Sequence, residues 1–129
     1  MNKTNILLVD DDYIVNFISE KILRGMGFSN ITVVTDGKQA LDSLKKENYP
    51  SLVFLDINMP IMDGFSFLTQ AIKEHLGMQM NVVILTSSNR QSDKDQASQF
   101  SNVIDYIEKP LNEDKVRQIL EKVNKNSGY

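Results

Sequence analysis

The chain has 129 residues, 41% hydrophobic and 24% charged, the size and balance of one soluble globular domain with a substantial core. Its net charge of −3 gives no general attraction to nucleic acid or to anionic membranes, and no apolar run is long enough to span a bilayer. The absence of cysteine excludes disulfides and thiolate metal sites, and polar residues follow Met1 where a leader would be apolar, so a cytoplasmic location is expected.

The first predicted element is a strand, the apolar run Ile6 to Val9, which ends on the carboxylates Asp10, Asp11 and Asp12. Asp12 reads as the N-cap of a helix. Along it Ile14, Ile18 and Ile22 recur at helical spacing, with Val15 and Phe17 beside them, up to Gly25 and Gly27. Ile31 to Thr35 is a short β-branched strand, and Gly37 opens a helix with apolar positions Ala40, Leu41 and Leu44. The stretch Ser51 to Gly64, SLVFLDINMPIMDG, begins with a near-continuous apolar run, Leu52 to Leu55, that fits a strand covered on both faces. It delivers Asp56 at its C-terminal end, and Asp63 caps a helix carrying Phe65, Leu68 and Ile72 that should stop near Gly77.

Val82 to Leu85 is the fourth apolar run, closed by Thr86, Ser87 and Ser88. Asn89 to Ser101 is polar, with only Ala97 and Phe100 apolar; a helix there has little to bury and should be the most mobile. Val103 to Ile107 alternates less cleanly and reads as an edge strand. The last helix shows one stripe, Val116, Ile119, Leu120 and Val123, and the tail from Asn124 to Tyr129 is expected to fray. Residues 1–129 therefore read as a single domain with a core over about 5–124.

Strand and helix alternate five times, which implies an α/β fold with a parallel sheet and helices on both faces. The C-terminal edge of such a sheet, where open α/β folds place their chemistry, would collect Asp10, Asp11, Asp56, Thr86 and Lys109. Taken alone, Asp56 is better explained as a turn residue; the convergence raises it above that. Carboxylates brought together repel, and a cation relieves them most cheaply. Hard oxygen ligands without His or Cys favour Mg²⁺. A carboxylate beside Mg²⁺ and a lysine is suited to attacking phosphorus, because both cations neutralise phosphoryl oxygens in the transition state.

The segments LLVDD, LDINMPIMDG, ILTSS and YIEKP, in this order and over nearly the whole chain, resemble the receiver domain of two-component response regulators of the single-domain, chemotaxis-regulator kind. The resemblance implies a flavodoxin-like, three-layer (βα)5 fold with sheet order 2-1-3-4-5. It makes Asp56 the phosphoacceptor and gives Asp11, Asp56 and the Asn58 main-chain carbonyl as metal ligands, with Asp10 acting through water. Thr86 matches the switch hydroxyl, Tyr106 the switch aromatic, and Lys109 the family lysine whose bond to the next proline is usually cis. Asn58 and Ser88 lie where family members tune the lifetime of the acyl phosphate. The implied cofactor is Mg²⁺, and the implied donor is a sensor histidine kinase or a histidine phosphotransfer protein. The downstream protein effector is not specified, and phosphorylation-dependent homodimerisation through the fourth and fifth helices stays open.

Two features depart from the family pattern. Gln99-Phe100-Ser101-Asn102 stands where a small-residue turn often precedes the fifth strand, and Ser87 stands where alanine is frequent. His75, late in a helix, reads as a surface residue with no catalytic part. An alternative function, a small Mg²⁺-dependent phosphohydrolase, is disfavoured because Asn58 occupies the position where many such enzymes carry a second aspartate. A transcriptional regulator is the third reading, but the residues after Lys125 offer no recognition helix and no basic patch, so no DNA binding is expected.

Overall fold

A computed structural model describes residues 4–46 and 49–126. Strands and helices alternate throughout: β1 (Ile6–Val9), α1 (Tyr13–Gly25), β2 (Ile31–Val34), α2 (Gly37–Ser43), β3 (Leu52–Leu55), α3 (Gly64–Lys73), β4 (Asn81–Thr86), α4 (Gln91–Ala97), β5 (Val103–Glu108) and α5 (Glu113–Asn126). All five strands pair in parallel, in the order β2-β1-β3-β4-β5. This is the flavodoxin-like architecture that the alternation and the motifs implied.

The apolar runs of β1, β3 and β4 are buried on both faces because each feeds a separate core. Leu7, Val9, Val53, Leu55, Val82 and Ile84 pack with Ala40 and Leu41 of α2, Phe67 and Leu68 of α3, and Ala97 of α4. Ile6, Leu8, Leu52, Phe54, Val83 and Leu85 pack on the other face with Leu23 of α1 and with Val116 and Ile119 of α5. A one-residue slip of any strand would exchange its two sets of side chains, so register is tightly specified.

Several helix faces differ from the sequence expectation. On α1 the buried residues are Asn16, Ser19 and Leu23, while Ile14, Phe17 and Ile18 are exposed together with Tyr13. The isoleucine spacing is helical, but Asn16 turns inward because its Nδ2 donates to the Asp10 carbonyl at 2.8 Å. That bond fixes which stripe meets the sheet. On α3 the inward residues are Phe67, Leu68 and Ala71, and Ile72 is exposed. The helix ends at Lys73, short of Gly77, because His75 adopts φ 56 and the Leu76 N–H bonds the Ala71 carbonyl at 2.9 Å. This is a left-handed C-terminal closure, which a non-glycine residue makes here. His75 therefore lies beyond the helix, and its side chain is exposed.

The final helix carries the predicted stripe, with Val116 and Ile119 fully buried, and Asn112 caps it by accepting the Lys115 N–H at 2.9 Å. It continues to Asn126, into the tail expected to fray from Asn124, and residues 127–129 lie outside the described range. The polar segment does form a helix, α4, which buries only Ala97. β5 is an edge strand as expected, and its ladder with β4 contains an irregularity: Val82 pairs with Val103, but Val83 pairs with Asp105.

Candidate functional site

The site is built by strand ends. β1 and β3 are neighbours with Val9 opposite Leu55, and the Asp56 N–H donates to the Val9 carbonyl at 2.9 Å. This brings the residues that follow the two strands, Asp10 and Asp56, to the same rim. Both are buried, at 3% and 5% exposure, while Asp11 beside them faces solvent. One carboxylate oxygen from each of Asp10, Asp11 and Asp56 lies within 4.8 Å of the others.

Lys109 follows β5, and its N–H donates to the Thr86 carbonyl at 2.9 Å, which anchors the lysine to the end of β4. The Lys109–Pro110 bond is cis. Its ammonium reaches across the sheet to lie 2.7 Å from Asp10 Oδ2 and 3.4 Å from Asp56 Oδ2. The Asp10 contact is a charge-assisted pairing, with the rotatable ammonium donating to Oδ2 at 2.7 Å. Asp10 Oδ1 accepts the Asp12 N–H at 2.9 Å, and Asp56 Oδ1 faces the Asn58 N–H at 3.4 Å.

The electrostatics follow from this crowding. Burial pushes the Asp10 carboxyl above its ordinary value, and neighbouring Asp56 adds to the rise; Lys109 and the Asp12 N–H oppose it without cancelling it. Burial also works against the Lys109 charge, but the contact with Asp10 and the field of both carboxylates outweigh it, so its pKa sits above the usual lysine value. The two shifts are compatible because one cation serves two carboxylates. Lys109 gains from both, whereas Asp10 shares its partner with Asp56. A surplus of buried negative charge remains, and a second cation would relieve it. Three hard oxygen donors with a half-open rim suit Mg²⁺, which keeps several waters.

Asp12 is not part of this group: its carboxylate accepts from the N–H groups of Ile14 and Val15 and caps α1. Thr86 is fully buried at the end of β4, and its Oγ1 accepts the Ser88 N–H at 3.3 Å. Tyr106, half-buried on β5, donates its hydroxyl to the Ser88 carbonyl at 2.9 Å. Asn58 is exposed on the loop after Asp56. Ser88 does not present its hydroxyl to the carboxylates; that group donates to Asp93 of α4 at 2.5 Å.

Sequence reasoning missed the parts that seat the loop after β3. Gly64 opens α3 so close to β3 that a Cβ would stand 2.4 Å from the Asp56 carbonyl oxygen. The Met62 carbonyl accepts the Gly37 N–H at 2.8 Å, tying the loop to the first turn of α2. Between these anchors Ile61 has φ 71 and is 81% exposed, the centre of a γ-turn closed by the Met62 N–H on the Pro60 carbonyl. From the sequence Gly37 reads only as a helix start and Gly64 as the end of the motif, because the contacts that require them join residues distant in sequence.

Sheet order, acidic rim and crossing lysine together define a phosphoryl-accepting signalling domain of the two-component kind. Residues 6–121 match the response regulator receiver domain family, and the chain belongs to it. It is 35% identical to chemotaxis protein CheY of Bacillus subtilis, over 93% of this chain and 94% of that protein. With two-component response regulator 24 of Arabidopsis thaliana it shares 32% identity, covering 95% of this chain and 86% of that one. A two-component response regulator from Cytophaga hutchinsonii superposes with TM-score 0.84 at 31% identity, covering 95% of this chain and 97% of that one. Against some longer relatives, such as the probable transcriptional regulator ycf27 of Porphyridium aerugineum, the chain spans about half of their length (52%). Aspartate phosphorylation and Mg²⁺ binding are general features of the family. Neither the family match nor these relatives supports the phosphohydrolase alternative. No helix among the described residues is long and apolar enough to cross a membrane.

Proposed function

We propose that Asp56 accepts the phosphoryl group, and that the chain uses it to switch its contacts with other proteins. The observation that carries this reading is the meeting of Asp10, Asp11 and Asp56 within 4.8 Å, with the Lys109 ammonium on two of them. An Asp56 oxygen attacks the phosphorus of a phosphohistidine; the O–P bond forms as the P–N bond breaks, and the imidazole leaves with the electron pair. Lys109 holds the Asp56 carboxylate and stands ready to pair with a phosphoryl oxygen. Asp10, Asp11, Asp56 and the Asn58 main-chain carbonyl would hold Mg²⁺, with Asp10 reaching it through water. When bound, the ion supplies positive charge to the phosphoryl oxygens.

Thr86 keeps its hydroxyl proton available, since Oγ1 serves as acceptor to the Ser88 N–H, and donates it to the transferred group. Tyr106 follows that movement, which biases the face formed by α4 and α5. Water attack on the acyl phosphate resets the domain. Asn58, exposed beside Asp56, tunes that step through access, and Ser88 tunes it through Thr86. The chain thus assists its own phosphorylation and dephosphorylation without turning over an external substrate.

The donor is a histidine kinase or phosphotransfer protein in the cytoplasm. Tyr13, Ile14, Phe17 and Ile18, exposed on the first turns of α1 next to the acidic rim, offer an apolar surface on which it would lie. Output runs through protein contacts, homodimerisation included, and not through nucleic acid. Incubation with acetyl phosphate and Mg²⁺ followed by intact-mass measurement tests the core of this reading. One phosphoryl adduct is expected in the wild type and none in Asp56→Asn. An unmodified wild type, or an adduct that survives the substitution, would refute it.

A further inference from the structure

We infer that Asp93 is a positioning residue that ties the Thr86–Tyr106 pair to α4 through Ser88. This rests on the phosphoacceptor reading above and extends it to a residue and a connection outside the acidic rim.

Ser88 is bonded in three directions. Its N–H donates to Thr86 Oγ1 at 3.3 Å, its carbonyl accepts the Tyr106 hydroxyl at 2.9 Å, and its own hydroxyl donates to Asp93 Oδ2 at 2.5 Å. Arg90 closes the cluster: its N–H donates to Ser88 Oγ at 3.3 Å and its Nε to Asp93 Oδ2 at 3.2 Å. The Asp93 side chain is only 13% exposed, against 70% for Arg90, so its carboxylate is the sheltered member of the pair. A second link lies alongside, where the Lys94 ammonium sits 5.9 Å from the centroid of the Tyr106 ring.

Movement of Thr86 towards a phosphoryl group on Asp56 either strips the Ser88 N–H of its acceptor or carries Ser88 along. If Ser88 moves, its carbonyl shifts the partner of Tyr106 and its hydroxyl pulls on the first turn of α4. That helix has little else to hold it. It spans Gln91–Ala97, buries only Ala97, and its N-cap, Arg90, makes no side-chain capping bond. The simpler reading, that Asp93 merely steadies the start of α4, is weaker because its carboxylate reaches past the cap to Ser88, two residues before it. A helix with one buried alanine, held at its start chiefly by this sheltered cluster, responds to whatever moves the cluster.

Hydrogen exchange of peptides covering residues 91–97, read with Mg²⁺ before and after acetyl phosphate, tests this in wild type, Asp93→Ala, Asp93→Asn and Ser88→Ala. In wild type, exchange across α4 changes on phosphorylation. In Asp93→Ala it is about tenfold faster beforehand, the loss expected for one charge-assisted hydrogen bond, and no longer responds. Asp93→Asn, which keeps an acceptor oxygen, restores part of the response, and Ser88→Ala behaves like Asp93→Ala. Asp93→Ala and Asp93→Asn still form the Asp56 adduct by intact mass; in Ser88→Ala, where the adduct lifetime also changes, the response is read per adduct formed. Adduct formation in wild type with no change in α4, or an undiminished response in Asp93→Ala, overturns the inference. Failure of the wild type to take the phosphoryl group overturns the phosphoacceptor reading instead. The unphosphorylated comparison still decides the tether: α4 exchange in Ser88→Ala equal to wild type removes it. If Asp93→Ala melts too low to measure, Ser88→Ala carries both arms.

Discussion

Replacing Gly64 by alanine probes how closely the start of α3 is seated on the strand end that carries Asp56. The added Cβ would stand 2.4 Å from the Asp56 carbonyl oxygen, 2.9 Å from Ile57 Cα and 3.2 Å from the Asp56 carbonyl carbon. All three are main-chain atoms, so no side chain can rotate away. An ordinary contact lies near 3.5 Å, and recovering it requires the helix start and the strand end to separate by roughly 1 Å. The Gly64 N–H bond to the Ile57 carbonyl, already 3.2 Å long, lies across the same gap. Overpacking of this kind costs about 1–3 kcal/mol, and losing one hydrogen bond adds about 1 kcal/mol, so Gly64→Ala should lower stability by about 2–4 kcal/mol. Gly25→Ala is the internal control. It sits at the end of α1 with nothing within 4 Å of the new Cβ. There the substitution should raise stability by about 0.5–1 kcal/mol through the unfolded chain. Urea unfolding of both variants beside wild type gives the two signs, and acetyl phosphate labelling reports whether the shift reaches Asp56. A Gly64→Ala protein within about 0.5 kcal/mol of wild type would show that the seating is looser than described.

Ile61→Gly should raise the melting temperature, since relief of the left-handed backbone, about 1–2 kcal/mol, exceeds the entropy glycine adds to the unfolded chain, about 0.5–1 kcal/mol; a lower melting temperature would count against strain at φ 71. Mg²⁺ at ten times its dissociation constant should stabilise the wild type by about 1.4 kcal/mol, measured by thermal denaturation. In Asp11→Asn the same concentration should give a smaller shift, and an equal one would remove Asp11 from the ligand set. Lys109, whose folded pKa lies above 10.5, contributes stability that is complete below that value and is lost as pH rises through the raised one. Lys109→Met should therefore show a flatter alkaline limb in urea midpoints against pH, and an unchanged limb would contradict the ion pairing.

The fold was legible because its strongest signals are local. Ile6–Val9, Leu52–Leu55 and Val82–Leu85 are short apolar runs that fit strands buried on both faces, and each is followed directly by a polar residue, Asp10, Asp56 or Thr86. The rim of Asp10, Asp56 and Lys109 followed from alternation alone once the sheet was parallel. The stripe on α1 was misleading because periodicity reports amphipathicity and not what lies opposite: Ile14 and Ile18 face solvent, while Asn16 and Ser19 face the sheet. The same ambiguity put Ile72 of α3 on the wrong side. The cluster of Ser88, Arg90 and Asp93 could not be read at all, because its bonds depend on the path of the turn between β4 and α4.

The uneven ladder between β4 and β5 sets the parity of the last strand. Val83 skips Ile104 and meets Asp105, so Tyr106 falls opposite Ile84 and Glu108 opposite Thr86. Had the count stayed even, Tyr106 would stand opposite Leu85, whose side chain points into the α1–α5 layer, and its hydroxyl would be carried away from Ser88. One surplus residue thus works as a half-turn of phase. It leaves the strand's hydrophobic pattern untidy and delivers the aromatic to the layer where Thr86 can influence it.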